Sequence, residues 1–157
     1  MKRRIIIIIV VIIVVALAGF AASQFNLSAL NEPGKIETYL ATQAKHFLIG
    51  RASRVGLPPE PVRSPAGVAE GEKFYGSECA LCHGLDGHKP TDNGRWMYPR
   101  AADLTSPSVQ QYSDHELFWI LKNGIRLSGM PAFGKVETDQ HMWELVQYIR
   151  TLKAGKQ

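Results

Sequence analysis

The chain has 157 residues, enough for one small domain with extensions, and its apolar share of 45% is ordinary. Its net charge of +4 is unevenly spread: residues 1–30 carry +3, residues 31–64 carry +2 and residues 65–157 carry −1. The largest part is slightly acidic, which argues against nucleic acid as a partner, and the basic excess lies where anionic lipid is the natural counter-charge.

The first element is an uncharged apolar run from Ile5 to Ala22, continuing toward Phe25 and Leu27. At helical rise the run covers roughly 27 Å, near the thickness of a bilayer core. Lys2, Arg3 and Arg4 precede it, and no acidic residue occurs before Glu32. The positive-inside rule then predicts a cytoplasmic N-terminus and export of everything downstream. The competing reading is a cleaved signal peptide with Ala16-Leu17-Ala18 as the small-residue site. The run is longer than a typical signal core, so an uncleaved anchor over residues 1–30 is expected.

A connector, residues 31–64, follows. After Pro33-Gly34, apolar side chains recur at Ile36, Tyr39, Leu40, Ala44, Phe47 and Leu48, one face of a helix. Lys35, Lys45, His46, Arg51 and Arg54 add positive charge. Such a helix can lie on a membrane surface, dock on a partner subunit, or pack on its own C-terminal domain. Pro58, Pro59 and Pro61 then make a stiff spacer that cannot continue it.

Residues 65–157 read as helical, with no convincing strand alternation and no internal repeat. Ser64-Pro65 starts a helix that reaches the Cys79 region. Residues 84–112 read as loop. Ser113-Asp114-His115-Glu116 is a capping box before Leu117, Phe118, Ile120 and Leu121, and Lys122-Asn123-Gly124 is a stop. Residues 125–137 again read as loop. Thr138 or Asp139 caps a last helix bearing Met142, Trp143, Leu145, Val146, Tyr148 and Ile149.

Within this part, Cys79-Ala80-Leu81-Cys82-His83 has the spacing of a c-type haem attachment motif. Each thiol can add across one haem vinyl group, and the adjacent imidazole can then ligate the iron. A structural zinc site usually needs a second ligand pair, and the chain has two cysteines in all. A redox dithiol would sit at the end of a strand in a βαβ pattern, which the flanking residues do not show. Export matches the compartment in which haem c is attached, and both cysteines are consumed by it.

For a second axial ligand the candidates outside the anchor are Met97, Met130, Met142, His46, His88, His115 and His141. Met130 stands out, because it lies in the inter-helical loop 124–134, with Gly129 and Pro131 beside it. A thioether is a soft, neutral ligand that favours reduced iron. Met142 reads as a buried helix residue, Met97 as a pocket wall, and the histidines as solvated or capping side chains.

With CxxCH followed by a Gly-Met-Pro loop, residues 66–153 resemble the class I cytochromes c. The resemblance implies an all-α class I cytochrome c fold around one covalently attached haem c, here preceded by a transmembrane helix and an amphipathic connector helix. Gly71 and Tyr75 match the family's small and aromatic positions where first and last helices cross, and Leu145 and Tyr148 match their partners. The resemblance implies His83 and Met130 as axial ligands. Tyr98–Thr105 is similar to a family loop in which a proline carbonyl accepts the proximal imidazole N–H. Pro99 is the candidate, with Pro90 as fallback. Arg100, Trp119 and Arg126 are candidates for the haem propionates.

These readings together predict a membrane-tethered, periplasm-facing monohaem protein that passes single electrons between redox partner proteins. It is not itself an enzyme and has no small-molecule substrate. The alternative is a fixed subunit of a membrane oxidase or dehydrogenase. A third, catalytic reading, a peroxidase or gas sensor, needs an open sixth position.

Overall fold

The structure is a computed structural model and describes residues 2–23 and 28–152. Eight α-helices occur among the described residues: α1 (Lys2–Ser23), α2 (Lys35–Ala52), α3 (Pro65–Phe74), α4 (Ala80–His83), α5 (Asp92–Arg95), α6 (Pro107–Gln110), α7 (Asp114–Asn123) and α8 (Asp139–Ile149). There is no strand among the described residues. α1 is 22 residues long, about 33 Å, with every side chain exposed, and is long and apolar enough to cross a membrane. The expected continuation to Phe25 and Leu27 lies outside the described residues, as does the segment after Leu152.

α3 and α8 form the central crossing. Ser64 caps α3 by accepting from the Gly67 amide, and Pro65 opens it where a missing N–H costs nothing. Gly71 faces α8 so closely that a Cβ there would stand 2.1 Å from the Glu144 carbonyl oxygen and 3.0 Å from Tyr148 Cβ. Any side chain at that position would push the helices apart. One turn on, Tyr75 is buried with its ring 5.1 Å from that of Tyr148. Leu145 is fully buried on the opposing face.

The helix does not end at Phe74. It widens into a π-helical turn, Tyr75–Cys79, in which the Ala80 amide donates to the Tyr75 carbonyl, and then continues as α4. The turn leaves both Tyr75 and Cys79 facing the core. A π turn interrupting an α-helix is frequently a functional feature.

The capping box expected at α7 is formed: Ser113 N donates to Glu116 Oε2 at 2.7 Å and Glu116 N to Ser113 Oγ at 3.3 Å. Leu117, Phe118 and Leu121 are buried, with Phe118 packed 4.4 Å from Trp143 of α8. Arg150, just past α8, donates from Nε to Asp114 at 2.6 Å and from its terminal nitrogens to the Gln110 and Tyr112 carbonyls. The region read as loop over 84–112 contains two single-turn helices, α5 and α6. Thr91 caps the first and Pro107 opens the second, signals too short to register as periodicity.

α2 packs on this unit, but not through its apolar stripe. Thr42, Lys45, His46, Ile49 and Gly50 are its covered positions, and of these Ile49 is fully buried. The stripe Ile36, Tyr39, Leu40, Phe47 and Leu48, expected to dock on a membrane surface, a partner or this domain, is 60–77% exposed and does not pack on this domain. Polar contacts explain the choice of face. The His46 ring stacks on Tyr112 at 4.1 Å and its Nε2 meets Gln111 at 3.0 Å. Tyr98 donates to Glu37, and Arg100 pairs with Glu32 at 2.8 Å.

Candidate haem site

A largely apolar cavity of about 350 Å³ opens among α2, the CxxCH turn, the 97–109 loop, α7 and the 125–133 loop. The volume lies within the usual range of ~300–1,000 Å³ for cofactor and ligand sites. Cys79, Cys82 and His83 line it from one side, and Met130 with Ser128, Gly129 and Pro131 from the loop between α7 and α8. Leu117, Ile120, Leu121 and Phe133 supply apolar wall. The motif and the methionine loop, 47 residues apart in the chain, therefore meet at one cavity.

Cys79 is buried, and burial pushes its thiol up to about 12. At neutral pH the group is a thiol, whereas a redox-active dithiol relies on a lowered thiolate pKa. Among the described residues no group of three or more His, Cys, Asp or Glu side chains is arranged to hold a metal ion. The two thiols lack the further ligands that a structural zinc site requires.

His83 Nδ1 lies 2.9 Å from the carbonyl oxygen of Ala102. A carbonyl only accepts, so Nδ1 carries the proton and Nε2 keeps its lone pair free for a metal. Burial pushes the ring below its ordinary pKa, against the Ala102 bond, which favours the neutral form that ligation needs.

The acceptor expected at Pro99 is thus Ala102, three residues on. The physical reason is how the loop is pinned. The Ala101 amide donates to Gly94 O at 2.9 Å and the Leu104 amide to Gly87 O at 2.7 Å, which presents the intervening carbonyl to the ring. Pro99 does line the cavity, and Pro90 does not. Two further bonds fix the motif against this loop: Tyr75 donates to Gly84 O at 2.6 Å, and the Thr91 amide to Cys82 O at 3.1 Å.

The methionine loop is held from both ends. The Met130 amide donates to Ser128 Oγ at 3.2 Å, and the Ile125 amide to the Met130 carbonyl at 3.3 Å. Gly124, with φ of 67°, ends α7 where a Cβ would stand 2.8 Å from the Met130 carbonyl oxygen. Only glycine serves both the left-handed backbone and the close approach. Met130 packs against the core while lining the cavity.

The other candidates separate cleanly. Met142 is fully buried between helices, away from the cavity, and Met97 lines it against the Gly129 backbone, as a pocket wall would. His88 pairs with Asp103 at 2.9 Å, His115 stands edge-on to Trp143, and His141 pairs with Glu137 at 2.7 Å. His46 was expected to be solvated or capping and is neither. It lines the cavity, with its Nε2 engaged by Gln111. Of the propionate candidates, Arg100 lines the cavity, while Trp119 and Arg126 do not.

The donor set fits a c-type haem: two thiols at attachment spacing, a neutral imidazole with one free nitrogen and a thioether, all on one apolar cavity. A family described as "Cytochrome C oxidase, cbb3-type, subunit III" matches residues 66–149. A search of curated proteins returned no match. Among solved structures, the chain is similar to one from the Kuenenia stuttgartiensis reducing HAO-like protein complex Kustc0457/Kustc0458. The identity is 20% and the TM-score 0.53, over 64% of this chain and 50% of that one. At that identity the likeness speaks for the fold alone, and the chain spans about half of that protein's length. A structure titled KustC0563 c-type cytochrome is 29% identical over 54% of this chain and 98% of its own, with a TM-score of 0.48.

Proposed function

This chain belongs to the cytochrome c family of the cbb3-type oxidase subunit III description, and from that premise we propose that it is a membrane-tethered, monohaem electron-transfer protein with His83 and Met130 as the iron ligands. Covalently bound haem c is the family's cofactor, and when bound it supplies one-electron redox chemistry at iron. The carrying observation is the meeting of Cys79, Cys82, His83 and Met130 at one cavity.

Each residue then has a task. Cys79 and Cys82 tie the macrocycle to the π turn and α4. His83 offers Nε2, its ring aligned by the Ala102 carbonyl. Met130 would offer the iron a thioether from a loop pinned by Ser128 and Gly124. Under this reading α1 anchors the protein with Lys2, Arg3 and Arg4 in the cytoplasm, residues 31–64 form the connector, and residues 65–157, the haem domain, face the periplasm.

A second reading, a fixed subunit of a membrane oxidoreductase, is favoured by two observations. Ile36, Leu40, Phe47 and Leu48 form an exposed apolar stripe on α2. The tether is also short: from Ser23, the last described residue of α1, nine residues reach Glu32, which is paired with Arg100, so the leash is at most ~30 Å. That favours partners held close by over partners met at a distance.

The test is Met130→Ala beside Met97→Ala in the full-length protein. Met130→Ala is expected to keep covalent haem, lower the midpoint potential and admit carbon monoxide to the reduced form. Met97→Ala, at the cavity wall, is expected to keep covalent haem and to exclude carbon monoxide from the reduced form. An unaltered spectrum and potential in Met130→Ala would refute the ligand assignment.

A further inference from the structure

The cavity has one wall from outside the family match. The match begins at residue 66, yet Thr42, Lys45 and His46 line the cavity from α2. They stand at i, i+3 and i+4, one helical face, and all three are half-buried. The seat is built: Ile49 is buried on the same face, and His46 is stacked on Tyr112 and bonded to Gln111.

This wall changes the electrostatics of the site. Lys45 and Arg100 are the cationic side chains in the lining, and Glu78 is its carboxylate. The other titratable groups there are His46, His83, Tyr112 and the two cysteines. Arg100 is already engaged by Glu32 at 2.8 Å. Lys45 has no carboxylate partner among the described residues. Haem brings two carboxylates, on the edge away from the vinyl groups that Cys79 and Cys82 would hold. A carboxylate against an apolar wall is costly unless a cation or donors meet it.

We propose that Lys45, with Arg100, binds the haem carboxylates, so that α2 is a working wall of the haem site and not only a connector. The proposal rests on the haem reading above. Lys45 reaches the cavity because α2 turns its polar face inward, which also accounts for the outward apolar stripe.

The experiment compares Lys45→Glu, Lys45→Gln and Arg51→Glu in the full-length, haem-loaded protein, reading the midpoint potential as a function of pH. Arg51 is on the exposed side of the same helix, so its reversal makes the same charge change away from the cavity. Losing a cation beside the carboxylates favours ferric iron and makes those carboxylates harder to ionise. Lys45→Glu is expected to lower the potential and raise the carboxylate-linked inflection by about one pH unit or more. Lys45→Gln should move both in the same direction by less, and stands in if the reversal prevents maturation. Arg51→Glu should leave the inflection in place. Equal responses in Lys45→Glu and Arg51→Glu, or an unmoved inflection in Lys45→Gln, would overturn the assignment. Haem staining after denaturing electrophoresis keeps the two readings apart. A wild-type chain without stain sinks the haem reading itself, and a stained chain with an unmoved inflection sinks only the role of Lys45.

Discussion

Gly71→Ala tests whether the α3–α8 crossing organises the fold. The added Cβ would lie 2.1 Å from the Glu144 carbonyl oxygen, and that obstacle is backbone. A carbon needs about 3.3 Å from an oxygen, so the helices must separate by roughly 1 Å. Overpacking of this kind costs about 1–3 kcal/mol, occasionally more. Alanine returns at most ~1 kcal/mol through helix propensity. The obstacle is backbone, which puts the steric cost at the upper end, and a net loss of about 2 kcal/mol is expected. For a domain of this size each kcal/mol is worth ~4–8 °C, so the melting temperature should fall by about 10 °C. Gly76 is the internal control, because nothing lies within 4 Å of its added Cβ. Gly76→Ala should be neutral or stabilising by up to ~1 kcal/mol. Thermal unfolding of the haem-loaded variants, followed by far-ultraviolet circular dichroism, gives both numbers. A Gly71→Ala protein that melts with the wild type, or a Gly76→Ala protein equally destabilised, would refute the reasoning.

Two further outcomes are expected. Arg150→Met removes the nearer of two arginine partners of half-buried Asp114, leaving Arg63 at 3.6 Å, and the donors to the Gln110 and Tyr112 carbonyls. It should cost roughly 2–4 kcal/mol in denaturant titration, and a loss below about 0.5 kcal/mol would show that the cluster is incidental. Acid should loosen the 84–106 loop. The His88 and Lys89 amides hold Asp86 below the ordinary carboxylate value, and Asp103, although burial alone would raise it, is held low by the Thr105 hydroxyl and amide. Lowered native pKa values stabilise above the unfolded value and lose that contribution as pH falls through the native ones. The denaturation midpoint should therefore drop as pH falls below the ordinary carboxylate range, and less steeply in Asp103→Asn. An equal slope in that variant would remove Asp103 from the explanation.

Much of the haem region could be read without coordinates because its signals are local or chemically specific. Ser113 and Glu116 announce a capping box within four residues, and it forms. Gly71 and Tyr75 lie at helical spacing before the motif, and they meet α8 as the resemblance implied. The meeting of His83 and Met130 at one cavity rested on chemistry, since few side chains ligate haem iron. The acceptor for His83 was legible only to within three residues. It is a backbone carbonyl, which every residue has, and which one faces the ring depends on the bonds that pin the loop at Ala101 and Leu104. Side-chain identity holds no record of that.

α2 shows a different limit. Periodicity identified the helix and its apolar stripe, and the ordinary inference is that such a stripe faces inward. Here the stripe faces out, because the surface that receives α2 offers Gln111, Tyr112, Tyr98 and Arg100 and so selects Glu32, Glu37 and His46. Hydrophobic burial does not favour the choice, since Ile49 alone is buried. An inward polar face is worth forming when it covers something that needs polar contact, and an outward apolar face is tolerable when something else covers it. Under the proposals above, the haem carboxylates would meet the first condition, and a neighbouring subunit or the membrane surface would meet the second. The proposed fixed-subunit reading requires such an inverted helix, whereas a freely diffusing cytochrome would be expected to expose its polar side.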